Sequence, residues 1–227
     1  DIHLPNGDIY IKKHMDGVIF AGEVDIRVIE EFRKQSIPVV LVNNYLDMDG
    51  LVCISADHYG GAVQATEYLC KLGHCKIGLL SGRFSPQVSE ARIEGFVKTL
   101  AKYDIPVDDR FIADIEPALE DGEEIMTRML RGVDRPTAFF CTNDTIAAGA
   151  MKAVTRAGLR VPEDIAIIGF DDSYISRVVE PELTTVRIDA AKMGCLAMQT
   201  LFDLIAGMPV EKAHIQIPTE LIVRGTA

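Results

Sequence analysis

Short apolar runs alternate with helical patterns along almost the whole chain. Residues 17–22 (GVIFAG), 38–42 (PVVLV), 76–82 (KIGLLSG), 110–115 (RFIADI), 137–141 (TAFFC) and 164–170 (DIAIIGF) are continuous or nearly continuous apolar stretches. Strands covered on both faces, as in parallel sheets, read this way, whereas half-exposed strands alternate apolar and polar positions. Between these runs the period lengthens. Ile26, Ile29 and Phe32 form one helical face before Ile37-Pro38 opens the next strand, and Val63, Thr66 and Leu69 line a helix that stops at Gly73. Ile93, Phe96, Val97 and Leu100 keep i, i+3, i+4, i+7 spacing, and Ile125, Met129 and Leu130 mark a further helix. Pro86 after Ser85 suits a first helical position behind a serine cap. Asp189 and Gly207 bracket a helix from about Ala190 to Ala206. The alternation predicts an α/β protein with doubly wound parallel sheets.

Two features predict two lobes. There are too many βα units for one sheet of ordinary size. In the tail (HIQIP, then TELIVRG) Pro218 separates two short strands. A proline cannot donate to a ladder, so it interrupts a central strand but is tolerated where a chain crosses between lobes. The amino end, DIHLPNGDIYIKKHMDG, has little periodicity and begins abruptly, and the piece is expected to be incomplete there.

The segment from Thr137 to Asp172 carries the first functional signal. One apolar strand ends in Cys-Thr-Asn-Asp, a helix follows and stops at Gly158, and a second strand ends in Phe-Asp-Asp. Asn143 and Asp171 therefore stand beyond the carboxyl ends of two neighbouring strands, the edge at which open α/β sheets bind ligands. Asn143 can donate and accept at once, which suits a hydroxyl, and it can also cap a helix; Asp144 then becomes the expected cap, with direct ligand contact as its second reading. Asp171 offers a carboxylate to hydroxyl hydrogens. Asp172 is read as structural.

Composition narrows the classes. The 227 residues are 48% apolar and 25% charged, enough for a sizeable core. No apolar run approaches the roughly 20 residues of a membrane span, so no membrane role is expected. A net charge of −11 opposes binding to phosphate backbone by this piece alone. The five cysteines (Cys53, Cys70, Cys75, Cys141, Cys195) include no CxxC pair and read as small buried hydrophobes in a reducing cytoplasm. The sequence has no GxSxG elbow, Walker loop, HExxH or GxGxxG opening a helix. Its five histidines are scattered without metal-ligand spacing, His74 reading as a cation at a helix end. No enzyme, cofactor or metal is expected.

Matching residues run nearly end to end with one family. They include Asp16-Gly17-Val18-Ile19, Asp57-x-x-Gly60-Gly61-Ala62, Arg92-x-x-Gly95-Phe96, Asn143-Asp144, Val161-Pro162-Glu163-Asp164-Ile165, Gly169-Phe170-Asp171-Asp172, Pro181-x-Leu183-Thr184-Thr185-Val186, and Pro218 to Thr226 (PTELIVRGT). In this order and spacing the chain resembles the effector-binding and dimerisation core of LacI/GalR transcription regulators. The resemblance implies a periplasmic-binding-protein-like pair of lobes joined by crossover strands, with residues 1–54 and 190–218 in the first and 55–189 and 219–227 in the second. It implies a cytoplasmic homodimer that binds a small polar effector, a sugar foremost, between its lobes. Operator DNA would be reached only through an amino-terminal helix-turn-helix that this chain lacks. Arg92 and Asp171 match the family's ligand-contacting positions. Phe84, in the loop before the Arg92 helix, is placed to face a sugar ring, with Tyr45 and Tyr174 as weaker aromatic candidates. Asn43, with Asn44 beside it, stands where relatives often carry an acid, and Ile188 stands where several sugar-binding relatives carry an amide. Two alternatives stay open: a solute-binding protein of a transport system, and a regulator controlled by a protein corepressor.

Overall fold

The computed structural model describes residues 15–44, 46, 48, 50–132, 134–210 and 213–227. The chain begins with β1 (Val18–Ala21), α1 (Ile26–Lys34), β2 (Val39–Val42) and β3 (Val52–Ala56). It continues through α2 (His58–Lys71), β4 (Ile77–Gly82), α3 (Pro86–Lys102), β5 (Ile112–Ile115) and α4 (Leu119–Met129). Then follow β6 (Ala138–Cys141), α5 (Asp144–Arg156), β7 (Ala166–Asp171), a 3-10 turn (Tyr174–Arg177) and β8 (Thr184–Arg187). The last elements are α6 (Ala190–Ile205), β9 (His214–Ile217) and β10 (Glu220–Ile222).

Two compact units result. The smaller holds the described residues up to Ala56 together with Asp189–Ile217; the larger holds Asp57–Ile188 and Pro218–Ala227. The smaller unit is built on a parallel sheet in the order β1-β2-β3-β9. Helix α1 buries Val28, Ile29 and Phe32 against Val39, Leu41 and Cys53. Ile26, expected on that face, lies in the first turn and is 42% exposed, so the buried stripe begins one turn later.

The larger unit has the order β10-β8-β7-β6-β4-β5, parallel throughout except for β10 on β8. Leu69 and Ala65 of α2 and Phe96 and Leu100 of α3 cover one face with Leu79, Phe140 and Phe170. Ile125 and Met126 of α4 and Ile146, Ala150 and Val154 of α5 cover the other with Leu80, Phe139 and Ile167. Each large side chain so enclosed stabilises the fold by about 1.5–3 kcal/mol. Sheets sandwiched in this way explain the continuous apolar strands.

Local signals act where expected at several helix ends. Asp57 accepts from Gly60 N to start α2, and Asp189 accepts from Lys192 N to start α6. Gly158 ends α5 at φ +74°, a conformation that glycine adopts without a Cβ penalty. Ser85 and Pro86 do occupy the cap and first position of α3, but the Ser85 hydroxyl makes no cap bond. Pro218 falls between β9 and β10, which belong to different sheets. Strands β3 and β8 have no counterpart among the apolar runs. Their VCISA and TTVR sequences look partly polar, yet β3 is buried throughout and Thr184 and Thr185 are fully enclosed. Polar partners permit that burial: Thr185 Oγ1 donates to Asp144, and Thr184 Oγ1 accepts from Arg224 N. Cys53, Cys70 and Cys141 are buried as expected of small hydrophobes, whereas Cys75 and Cys195 are exposed.

Candidate functional site

In the larger sheet β4 is the first strand, with β5 on one side and β6 on the other. Chain order reverses there, so the connections leaving the carboxyl ends of β4 and β6 diverge and open a crevice. Three chemically active side chains meet at this edge.

Arg92 reaches it from α3. It is 3% exposed. Its Nη1 donates to the carbonyl oxygen of Thr142, just beyond β6. Its Nη2 donates to His58 Nδ1 at 3.2 Å and to Asp171 Oδ1 at 3.3 Å. The guanidinium carbon lies 3.9 Å from the Phe170 ring centroid and 4.9 Å from that of Phe84, two cation–π contacts. Burial, followed by the charge of Arg92, pushes the His58 imidazole down to about 3. A neutral ring accepting at Nδ1 is what the arginine requires.

Asp171 closes β7. Its φ is +108° and that of Asp172 is +52°, two consecutive non-glycine residues in a costly backbone region. Strain of this kind persists where surrounding contacts over-determine it, and the contacts are visible. Asp144 is 1% exposed and accepts from Ser173 N at 2.6 Å and from Thr185 Oγ1 at 2.5 Å, pinning the segment after β7. Asp172, also buried, accepts from Arg224, from Arg187 at 2.8 Å, from Ser176 at 3.1 Å and from Arg177 at 3.4 Å. The Asp171 side chain itself stays 37% exposed. Burial raises its carboxyl to about 6; Arg92 opposes the rise and the nearby charge of Asp144 adds to it.

Asn143 caps α5: its Oδ1 accepts from Ile146 N at 2.8 Å. The cap expected at Asp144 is instead at Asn143, because the helix already begins at Asp144 and the Asp144 side chain turns inward to the β7–β8 connection. The Asn143 amide nitrogen makes no hydrogen bond among the described residues and remains a donor. Phe84 lies over Gly82, where an added Cβ would meet its ring at 2.8 Å. The pocket edge thus needs a glycine at the end of β4.

The other candidates have contacts or settings of their own. Tyr174 sits in the 3-10 turn and is 83% exposed. Ile188 packs against the apolar cluster that includes Phe170 and Val186. Asn43 and Asn44 belong to the smaller unit. Asn43, at φ +51°, accepts from Ala56 N at 3.2 Å. Asn44 braces its loop, donating to Gly22 O at 2.9 Å and accepting from Leu46 N at 3.1 Å. Tyr45 lies outside the described residues. His74, expected as a cation, bonds to Thr137 Oγ1 at 2.8 Å and has its pKa lowered by burial, so it serves as a neutral partner. His58 and Phe170, which hold Arg92, were not legible as site residues; the only available signal was their place at a helix start and a strand end. A separate recess of about 550 Å³ lies at the amino end of β5 beside Phe111, Ile125 and Met129, away from this cluster. Among the described residues no helix is long and apolar enough to cross a membrane, and no His, Cys, Asp or Glu group could hold a metal ion.

Parallel sheets covered by helices, with a polar cluster at a carboxyl edge, define a periplasmic-binding-protein-like domain, and the family model of that description matches residues 66–227. The probable HTH-type transcriptional repressor ExuR of Bacillus subtilis is 34% identical over 223 residues, covering 97% of this chain and 67% of the repressor. A LacI-family regulatory protein from Chloroflexus aggregans superposes with a TM-score of 0.86 at 30% identity, over 93% of this chain and 76% of that one. A LacI-family regulator from Enterococcus faecium, solved with bound ribose, superposes with a TM-score of 0.85 at 28% identity, over 93% and 79%. The chain belongs to the LacI/GalR family of transcription regulators and corresponds to the effector-binding core. Its relatives are transcriptional repressors, which are not enzymes. It spans about two thirds of the length of the curated relatives it matches.

Proposed function

We propose that this chain is the sensor of a cytoplasmic, homodimeric repressor, and that it binds a sugar at the site built around Arg92, Asn143 and Asp171 so as to alter operator binding by the protein it belongs to. The observation that carries the reading is the convergence at one carboxyl edge of an exposed carboxylate oxygen (Asp171), an unengaged amide donor (Asn143) and an aromatic ring (Phe84). A sugar presents hydroxyls to the first two and an apolar ring face to the third. The strained β7 terminus supports the same reading, because two braced positive-φ residues hold Asp171 in a geometry that ordinary strand ends avoid. Effector binding would bias a pre-existing equilibrium only by the difference in its affinity for the two regulatory states. The test is a thermal-shift screen of mono- and disaccharides followed by calorimetry. At least one sugar should raise the melting temperature saturably, and Asp171→Ala should remove that response while leaving a folded protein. A flat response to all sugars, or one that survives Asp171→Ala, rejects the assignment.

A further inference from the structure

We infer that the larger sheet is closed at both rims by single side chains, Gln64 at β10 and Arg83 at β5, and that these two residues keep it from growing by strand addition from another copy of the chain.

An outer strand leaves every second residue with its N–H and C=O directed away from the sheet, a ready template for another chain. On β10 the Leu221 amide is turned away from β8 and donates to Gln64 Oε1 at 3.1 Å. Gln64 Nε2 donates in turn to Thr219 O at 3.1 Å. In a parallel ladder one residue bonds to the carbonyl before its opposite number and to the amide after it. The Gln64 carboxamide makes that same pair of bonds around Glu220, so it stands where one peptide of a further parallel strand would lie. The surroundings hold it there. Thr219 is 9% exposed and donates its hydroxyl to Asp57 O at 3.1 Å, at the start of the helix that carries Gln64. Gly61, three residues before Gln64, lets that helix come close: an added Cβ would stand 2.9 Å from Thr219 Oγ1 and 2.7 Å from Phe170 Cζ.

At the opposite rim, β5 pairs with β4 alone among the described residues. Ile115 O accepts from Arg83 N at 2.8 Å, so by alternation the Asp114 carbonyl faces outward. Arg83 Nη2 donates to that carbonyl at 3.2 Å, while Nε and Nη1 hold the carboxylates of Asp114 at 3.1 Å and Glu116 at 3.0 Å. An incoming strand would have to displace the guanidinium and bury charge beside its own backbone, which is costly without new partners. Arg83 is 56% exposed, so this rim is the weaker block of the two. Association of two copies through this unit is thereby directed to its helix faces and loops.

The test uses the full chain. Gln64→Leu keeps the apolar stem and removes both bonds, Gln64→Glu keeps the acceptor for Leu221 N and loses the donor to Thr219 O, and Arg83→Ala opens the other rim. Amide hydrogen exchange is followed at Leu221, and light scattering after size exclusion is followed over a concentration series, below each variant's unfolding transition. In dilute solution Gln64→Leu should speed exchange at Leu221 by about tenfold, and Gln64→Glu by less. On concentration, Gln64→Leu should form a species twice the wild-type mass in which the Leu221 amide is protected again, because one open rim can pair only once. The double variant Gln64→Leu/Arg83→Ala opens both rims and should form longer assemblies. A Gln64→Leu chain that loses stability but keeps the wild-type mass at every concentration overturns the inference, as does fast exchange at Leu221 in the wild-type chain. If Gln64→Leu does not fold, Gln64→Glu decides on the same two readouts.

Discussion

Arg224 donates to the buried carboxylate of Asp172 across 52 residues of sequence, tying the end of β7 to the turn after β10. Asp172 is 2% exposed and Arg224 12%, whereas Arg187 and Arg177, the other cations on the same carboxylate, are 41% and 59% exposed. The two kinds of contact should differ in energy. Removing one partner of a buried pair typically costs about 3–5 kcal/mol, and an exposed pair contributes about 1 kcal/mol or less. Asp172→Ala is therefore expected to lower the unfolding free energy by about 3 kcal/mol, against less than about 1 kcal/mol for Arg177→Ala. Urea denaturation of the two variants measures both. Equal losses would show that Arg224 is not the dominant partner.

The two neighbouring aspartates should respond oppositely to acid. Burial pushes the Asp172 carboxyl up, but Arg224 and Arg187 more than offset it and hold it at about 2, below the ordinary 3.8. Its contribution to stability is complete above about 3.8 and is lost as the pH falls through 2. Asp171 runs the other way. With its carboxyl raised to about 6, the folded chain takes up this proton more readily than the unfolded chain, so the site is least favourable to folding above pH 6 and is relieved as the pH falls toward 3.8. Binding has the reverse sense. A hydroxyl donor needs the ionised carboxylate, so effector affinity should be flat above pH 6 and weaken by about tenfold per unit below it. Calorimetry at pH 5.0, 6.0 and 7.5 reads this directly, and a pH-independent affinity would remove Asp171 from the contact.

Asn143 has two roles that substitution can separate. Its Oδ1 caps α5 through Ile146 N, and its amide nitrogen, which makes no hydrogen bond among the described residues, is the donor proposed for the ligand. Asn143→Ala loses both and should cost about 1 kcal/mol of stability as well as affinity. Asn143→Asp keeps an oxygen at the cap and adds a charge favourable to the helix amino end but unfavourable beside Asp144 and Asp171, so the capping contact should hold while affinity falls because the donor is gone. Affinity that survives Asn143→Asp would confine Asn143 to capping.

Legibility differed from element to element for physical reasons. β6 and β7 announced themselves because both faces of each strand are enclosed by apolar neighbours, leaving an unbroken run up to Cys141 and Phe170. β8 did not, because Thr184 and Thr185 are buried on partners (Arg224 and Asp144) that lie 40 and 41 residues away. The same non-locality hid the buried roles of Asp144 and His58. A cap is a local event, but choosing between Asn143 and Asp144 depended on Ser173 and Thr185, which only the fold brings to that helix end. The location of the candidate site at the strand ends was readable; the arrangement of aromatic rings around Arg92 was not.

Helices α4 and α5 meet through two glycines, and their packing yields the final prediction. A Cβ on Gly149 would stand 2.1 Å from Leu119 O and 2.8 Å from Glu123 N, and one on Gly122 would stand 2.5 Å from Ile146 O. These neighbours are backbone atoms, which cannot swing aside as a side-chain tip can. Alanine favours a helix over glycine by about 1 kcal/mol, so Gly149→Ala would be stabilising if propensity ruled. Overpacking against rigid neighbours costs about 1–3 kcal/mol and sometimes more, and contacts this close place the substitution at the upper end of that range. Gly149→Ala is expected to destabilise the chain by about 2 kcal/mol net and to push α4 away from α5. Gly194, whose added Cβ would meet nothing within 4 Å on α6, provides the control. Gly194→Ala should stabilise by up to about 1 kcal/mol. Thermal denaturation of the pair reads the difference, and a stabilised Gly149→Ala would mean that the two helices are not in backbone contact.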